Sequence, residues 1–318
     1  METAVSYYRV CGATLKSKIP FPELPRSSER RPDFTLTFRQ HNGRRMAGTK
    51  WIHKHVRPNG ETWLVIGESE AGLVMRFPRL VDFVVSPAEK SISCLVRRKI
   101  PGNTMRHFFL DHVLPAYLSL GRLVLHASAI RVSDKSAIAF LGESGSGKST
   151  LAACFWKKGF PVIADDCVVI EQRDGLLMCV PSYPGLRLWD DSAKAVLTSR
   201  QKRSTLAHYT TKSRFRNSRM EDGFDGRPLP LSRIYWLEPA VRAKTAGIHI
   251  RPISGSQGLI QLLQSSFRLD FVRPKPLTEE FSRLARIAES KLLYGVTFPR
   301  DFRRVGELTR TILDDIGQ

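Results

Sequence analysis

Eight consecutive residues, Gly142-Glu143-Ser144-Gly145-Ser146-Gly147-Lys148-Ser149, have the types and spacing that bind a triphosphate. They satisfy G-x-x-x-x-G-K-[ST] without a gap. Glycines let the backbone turn tightly enough for successive N–H groups to face phosphate oxygens. A helix opening behind them adds the positive end of its dipole. In such a loop Lys148 reaches the β- and γ-phosphates and Ser149 offers its hydroxyl to Mg²⁺, with Thr150 next to it in the first turn. The pattern therefore implies ATP and Mg²⁺.

A second group follows the first. Asp165-Asp166 lies seventeen positions after Lys148, directly after the apolar run Val162-Ile163-Ala164. If that run is a strand parallel to the one feeding the loop, its end delivers two carboxylates beside the phosphates. One can hold Mg²⁺ with Ser149, and the other can accept the proton of an attacking hydroxyl. Adjacent carboxylates repel, and a bound cation relieves the repulsion. His126, at the end of Leu123-Val124-Leu125, precedes the loop and is a weaker candidate. A core histidine is the commoner outcome at such a position. Transfer of a phosphoryl group also needs cations on the moving group. Arg187 is one candidate, and Lys212, Arg214 and Arg216 form another set.

The elements that must position these groups can be read from periodicity. Ala137–Leu141 is an apolar strand before the loop, and Lys148–Lys158 is a helix stopped by Gly159 and Pro161. Leu123–His126 and Ala127–Val132 are strands. Cys167–Ile170, a turn at Asp174-Gly175 and Leu176–Val180 make a hairpin. Ile234–Leu237 and Gly247–Ile253 are later strands. Thr278–Leu293 and Arg304–Asp315 have helical spacing, with Tyr294–Arg300 between them. Ser199–Arg227 is basic and poor in aliphatics, and reads as a long mobile loop able to close over a ligand.

Upstream, Val5–Pro22 reads as a strand and turn. Phe34–Phe38, Trp63–Ile66, Gly72–Phe77, Phe83–Val85 and Ile92–Val96 are further short strands, which implies a mostly antiparallel β region. Thr104–Leu120 is helical, with Pro115 expected to kink or interrupt it. The expected architecture is α/β: a small β-rich N-terminal domain over residues 1–100, then a P-loop domain over residues 101–318.

The 318 residues carry 42% hydrophobic and 25% charged side chains, enough to form a core and to exclude wholesale disorder. No apolar run is long enough to span a bilayer, and the N-terminus lacks a secretory signal pattern. Five cysteines, an odd number with no C-x-x-C pair, argue against a disulfide framework or zinc site and for a reducing, cytoplasmic setting. A net charge of +20 with pI ≈ 10.2 favours acidic or polyanionic partners. The chain shows no RNP, zinc-finger or helix-turn-helix pattern, so nucleic acid ranks low among them.

Three stretches together resemble the HPr kinase/phosphorylase family. They are Val124-Leu125-His126-Ala127-Ser128, then Gly142–Thr150, then Lys158-Gly159-Phe160-Pro161-Val162-Ile163-Ala164-Asp165-Asp166. The match covers residues 122–171. The resemblance implies a phosphoenolpyruvate-carboxykinase-like P-loop kinase domain in which ATP and Mg²⁺ phosphorylate a seryl hydroxyl. Carried over by position, it gives Lys148 and Ser149 to phosphate and metal, the base and metal roles to Asp165 and Asp166, and a place near the phosphates to His126. Which aspartate does which stays open, with a slight preference for Asp165 as base and Asp166 on the metal. The family's phosphorylase signature is absent. Pro181-Ser182-Tyr183-Pro184-Gly185-Leu186-Arg187-Leu188-Trp189 stands in that stretch, so the reverse reaction is not implied. Tyr8-Arg9-Val10-Cys11-Gly12 and Ile19-Pro20-Phe21-Pro22-Glu23-Leu24 are similar to a branch of HPr-kinase-like proteins. Some of that branch phosphorylate ribosomally made peptides, including a C-terminal serine of lasso-peptide precursors.

The expectation is thus a serine kinase acting on a small protein or peptide, of acidic character if the charge is a guide. An HPr-type phosphocarrier is the alternative acceptor. A nucleic-acid-dependent ATPase, a nucleotide sensor without chemistry and a carboxykinase rank below it. Oligomeric state stays open.

Overall fold

A computed structural model describes residues 4–40, 48–57, 59–197, 202–216, 224–240, 247–267 and 275–317. The chain divides into two compact units. Met1–Gly121 with Arg268–Leu277 form the first; Arg122–Phe267 with Thr278–Gln318 form the second. The sequence reading ended its first domain at residue 100, whereas the helical segment that follows groups with the first unit.

The first unit holds one eight-stranded sheet: β1 (Ser6–Val10), β2 (Ala13–Ser17), β3 (Phe34–Gln40), β4 (Lys50–Val56), β5 (Thr62–Ser69), β6 (Gly72–Phe77), β7 (Val81–Ser86) and β8 (Ser91–Val96), in the order β1-β2-β3-β8-β7-β6-β5-β4. It is mostly antiparallel, as expected, with β3 running parallel to both β2 and β8. The long stretches of chain between β2 and β3 and between β3 and β8 bring those strands back in the same sense. β4 was missed: Lys50-Trp51-Ile52-His53-Lys54-His55-Val56 is too polar to read as a buried strand, and most of it is exposed.

Helices α1 (Gly102–Phe108) and α2 (Leu114–Ser119) follow, joined by a π turn over Phe109–Val113. Pro115 was expected to break this helix. A proline ring crowds the carbonyl four residues before it and donates no hydrogen bond. Here the chain absorbs that conflict by widening one turn, with Leu114 N–H donating to Phe109 O. Phe108 stacks on Phe77 at 4.1 Å between ring centroids, fixing the helix to the sheet.

The second unit is built on a nine-stranded sheet. Its strands are β9 (Leu123–Leu125), β10 (Ser128–Ser133), β11 (Ser136–Leu141), β12 (Val162–Ala164), β13 (Val168–Arg173), β14 (Leu176–Val180), β18 (Leu229–Ala240), β19 (His249–Pro252) and β20 (Leu293–Pro299). A separate three-stranded sheet holds β15 (Leu186–Leu188), β16 (Lys202–Thr205) and β17 (Ser213–Arg216). The helices are α3 (Lys148–Lys157), α4 (Asp190–Val196), α5 (Gly255–Ser265), α6 (Lys275–Glu289) and α7 (Val305–Asp315).

Alternation along β11 explains the layering. Ile138 and Phe140 join one buried cluster with Leu151 and Phe155 of α3 and Leu308 and Ile312 of α7. Ala137, Ala139 and Leu141 join the other, with Leu262 of α5 and Leu284 and Ile287 of α6. A strand buried on both faces in this way belongs to a sheet covered by helices on both sides. β18 pairs parallel with β11, and β20 pairs parallel with β18. Successive antiparallel pairings of β11 with β10 and of β10 with β12 make β12 parallel to β11 as well. The C-terminal ends of β11, β12, β18 and β20 therefore lie at one edge of the sheet, where ligands bind in α/β folds.

Two further stretches take their place here. Tyr294–Arg300, set between two helical stretches in the sequence, supplies most of the paired strand β20. The mobile loop expected over Ser199–Arg227 contains β16 and β17 instead; residues 199–201 and 217–223 lie outside the described residues. All five cysteines are free, with only Cys154 partly exposed. Among the described residues no helix is long and apolar enough to cross a membrane.

Candidate active site

The loop Gly142–Gly147 joins the end of β11 to α3, as its spacing predicts. Two of its glycines are required by geometry. Gly142 has φ 141°, and a Cβ there would come within 2.8 Å of Ser146 Oγ and 3.0 Å of Leu237 O. Gly147 caps α3 at φ 104°, a left-handed conformation costly for other residues. Lys148 Nζ bends back over the loop and donates to Gly142 O at 2.8 Å and Glu143 O at 3.0 Å. Burial draws this ammonium below the ordinary lysine value, and Asp166 and Asp165 pull the other way.

Asp165 and Asp166 emerge from β12 with different surroundings. Asp165 is 1% exposed. Its Oδ1 accepts from Ser149 Oγ at 2.8 Å and from Ser128 Oγ at 2.7 Å, and its Oδ2 accepts from the Arg187 backbone N–H at 2.8 Å. Burial, with the charge of Asp166, raises its pKa against the opposing pull of Arg187 and Ser128. Asp166 sits at φ 63°, a left-handed conformation that asparagine and aspartate tolerate best. Asp166 lines the cleft, whereas Asp165 does not. Asp166 Oδ1 lies 3.4 Å from His126 Nε2. Burial opposes its ionisation but is outweighed by the His126 hydrogen bond and the charges of Lys212 and Arg187, so its pKa lies well below the usual carboxylate range.

Arg187 is 2% exposed and does not reach out as a mobile cation would. Its Nη1 donates to Asp165 O at 2.7 Å, its Nη2 to the Tyr183 hydroxyl, and its Nε stands 3.7 Å from Asp166 Oδ2. It braces both carboxylates. Its cross-strand neighbour Arg214 is also buried, and both guanidiniums lie against the Tyr183 ring. Lys212 is the member of the downstream basic set that lines the cleft; Arg214 and Arg216 do not.

The cleft has a volume of about 370 Å³. Its lining includes Ser144–Leu151, Asp166, His126, Arg187 and Lys212, so most of the candidates named from sequence share one space. Gly142, Glu143 and Asp165 do not line it. Sequence reasoning missed Ser128, which fixes Asp165, and Arg300, which follows β20. A Cβ on Gly145 would stand 4.0 Å from Arg300 Nη2, and Arg300 also lines the cleft. Arg303 is paired with Asp301 and Arg304 with Glu307, whereas Arg300 has no carboxylate partner among the described residues. The strand pattern Leu293–Pro299 was the available signal for it.

The site's chemistry suits a polyphosphate with Mg²⁺. Ser146 Oγ, buried inside the loop, has no hydrogen-bond partner among the described residues and is an available donor. Ser149 and Asp165 offer adjacent hard oxygen donors. No group of three or more His, Cys, Asp or Glu side chains able to hold a metal occurs among the described residues. Mg²⁺ needs none, because it takes one or two carboxylates and completes its shell with phosphates and water.

No protein-family model matches the chain, and no curated protein matches it. Among solved structures it is similar to the Hpr(Ser) kinase/phosphatase from Coxiella burnetii, with 13% identity and a TM-score of 0.31. The match covers 60% of this chain and 94% of that one. A likeness of that size decides neither fold family nor activity, and the functional reading rests on the site.

Proposed function

We propose that this protein is an ATP-dependent kinase that moves the γ-phosphoryl group to a seryl hydroxyl of a peptide or small protein, on a P-loop domain of the phosphoenolpyruvate-carboxykinase-like kind. The observation that carries it is the division of labour between adjacent carboxylates: Asp165 bonded to the loop hydroxyl of Ser149, Asp166 opening into the same cleft beside His126.

ATP would lie with its phosphates on the N–H groups of Gly145–Ser149 and on Lys148. Ser149 and Asp165 would hold Mg²⁺, which when bound neutralises charge on the β- and γ-phosphates. Asp166 would accept the proton of the seryl hydroxyl as its oxygen bonds to the γ-phosphorus and the bond to the β-phosphate oxygen breaks, releasing ADP. His126 would hold the Asp166 carboxylate in place. Lys212 and Arg300 are the cations placed to meet charge on the transferring group, with Arg187 keeping the carboxylates aligned. This allocation reverses the slight preference drawn from sequence. Asp165 is enclosed by two hydroxyls and a backbone N–H, whereas Asp166 lines the cleft.

The acceptor follows from charge and from the resemblance noted in the sequence. A peptide is the first choice, and lasso-peptide precursors with a C-terminal serine are the specific class to try. The test is mass spectrometry after incubation with ATP and Mg²⁺, offering such a precursor, an HPr-type phosphocarrier, or neither. A gain of one phosphate on the peptide, lost in Lys148→Ala, is the expected result. Transfer to the phosphocarrier alone would replace the peptide reading. ATP hydrolysis that rises with nucleic acid and transfers to neither protein would overturn the kinase assignment.

A further inference from the structure

The phosphate loop accounts for only one end of the cleft. Two other segments wall it: Trp189–Ser192, where the chain enters α4, and Arg300–Phe302, where it leaves β20. Helix α4 packs against the turn Phe302–Arg304, which makes the two segments neighbours. Each presents an aromatic ring. Trp189 is 47% exposed and Phe302 46%, and both line the cleft. Single exposed rings are ordinary on a protein surface. Two rings on adjoining walls of one cleft, next to a polyphosphate loop, make a stacking platform for a flat heterocycle. Lys212 Nζ lies 5.4 Å from the Trp189 ring centroid and steadies the indole. Asp191 adds a polar edge. Its Oδ1 accepts the Ser192 N–H at 2.7 Å, and its exposed carboxylate keeps lone pairs for an N–H or hydroxyl of a ligand.

We infer that Trp189 and Phe302 form a nucleobase subsite, holding the base of the nucleoside triphosphate whose phosphates rest on Gly142–Ser149, with Asp191 accepting from its base or ribose. This rests on the phosphate-loop reading above and adds to it where the nucleoside goes.

Calorimetric titration with ATP and with inorganic tripolyphosphate, both with Mg²⁺, separates the two ideas. The intact protein is expected to bind ATP more tightly than tripolyphosphate. Trp189→Ala and Phe302→Ala should each weaken ATP by about tenfold while leaving tripolyphosphate within about twofold, the scale of losing one stacking partner. Trp189→Phe, which keeps a ring, should retain most of the ATP affinity. Equal affinity of the intact protein for the two ligands, or equal loss of both in the alanine variants, would overturn the subsite and leave the phosphate loop standing. Failure of the intact protein to bind either ligand would overturn the phosphate loop and the subsite with it.

Discussion

Ser149 Oγ and Asp165 Oδ1 are joined at 2.8 Å across the edge where α3 begins and β12 ends. That bond ties the last residue of the phosphate-loop motif to the first of the acidic pair, and it divides the roles of Asp165 and Asp166.

The two asparagine variants should therefore behave differently. Asp166→Asn should keep ATP affinity near that of the parent and lower turnover by about 100-fold or more, the scale of a lost base. Asp165→Asn turns one carboxylate oxygen into an N–H donor, which then faces the Ser149 and Ser128 hydroxyls or the Arg187 N–H instead of accepting from them. It should cost about 1–3 kcal/mol of stability and raise the Mg²⁺ concentration needed for half-maximal activity. Turnover against Mg²⁺, with melting curves on the same samples, reads both. Normal turnover in Asp166→Asn would reverse the allocation.

The depressed pKa of Asp166 has a consequence in acid. A carboxylate whose folded value lies below its unfolded value, about 3.9, contributes stability that is present above the unfolded value. That contribution is lost as pH falls through the folded one. Asp165, raised by burial and by the charge of Asp166, has the opposite sign: its contribution is present in acid and lost as pH rises through its folded value. Urea midpoints between pH 7 and pH 3 should show the gap between parent and Asp166→Asn full at neutral pH and closing in acid. A gap that widens in acid would contradict the ion-paired geometry.

Gly142 admits no side chain. In Gly142→Ala the added methyl meets Ser146 Oγ, which can move, and the backbone carbonyl of Leu237 in β18, which cannot. Together with the strain at φ 141° this should cost about 1–3 kcal/mol and displace the loop. A lower melting temperature with weakened ATP binding is the expected result. Binding at parental affinity would show that the loop tolerates the shift.

In the first unit, Asp82 is fully buried between Arg76 Nε at 2.9 Å and Arg97 Nη2 at 2.6 Å. Asp82→Ala leaves two guanidiniums beside a site with no carboxylate and should destabilise by about 3–5 kcal/mol. Scanning calorimetry should show a lower-temperature transition. A melting curve identical to the parent's would mean that water replaces the carboxylate at little cost.

The phosphate loop, its strand and its helix were legible because they are contiguous and each obeys a local rule. The acidic pair was legible by its place after an apolar run. What escaped depends on pairing between distant segments. Arg187 and Arg214 meet across β15 and β17 against the Tyr183 ring, and the burial of Arg187 is made tolerable by Asp165 and Asp166. A stretch whose polar side chains are satisfied in this way resembles a solvated loop when only its composition is seen. Arg300 was hidden for a related reason. Tyr294–Pro299 lies between two helical patterns, and its pairing with β18 and β19 makes it a strand whose end borders the phosphate loop. The π turn at Phe109–Val113 answers Pro115 in a way that intrinsic preference does not specify.

The parallel pairing of β11 with β18, and of β18 with β20, also sets an order in time. A ribosome delivers the phosphate loop and the acidic pair well before residues 229–240 exist to flank β11, and Arg300 and Phe302 come later still. Such distant pairings make for slow closure of the sheet. The nascent chain thus exposes a phosphate-binding motif with no wall opposite it. The cleft is completed only near the end of synthesis, so partly made chains carry the loop without its enclosure.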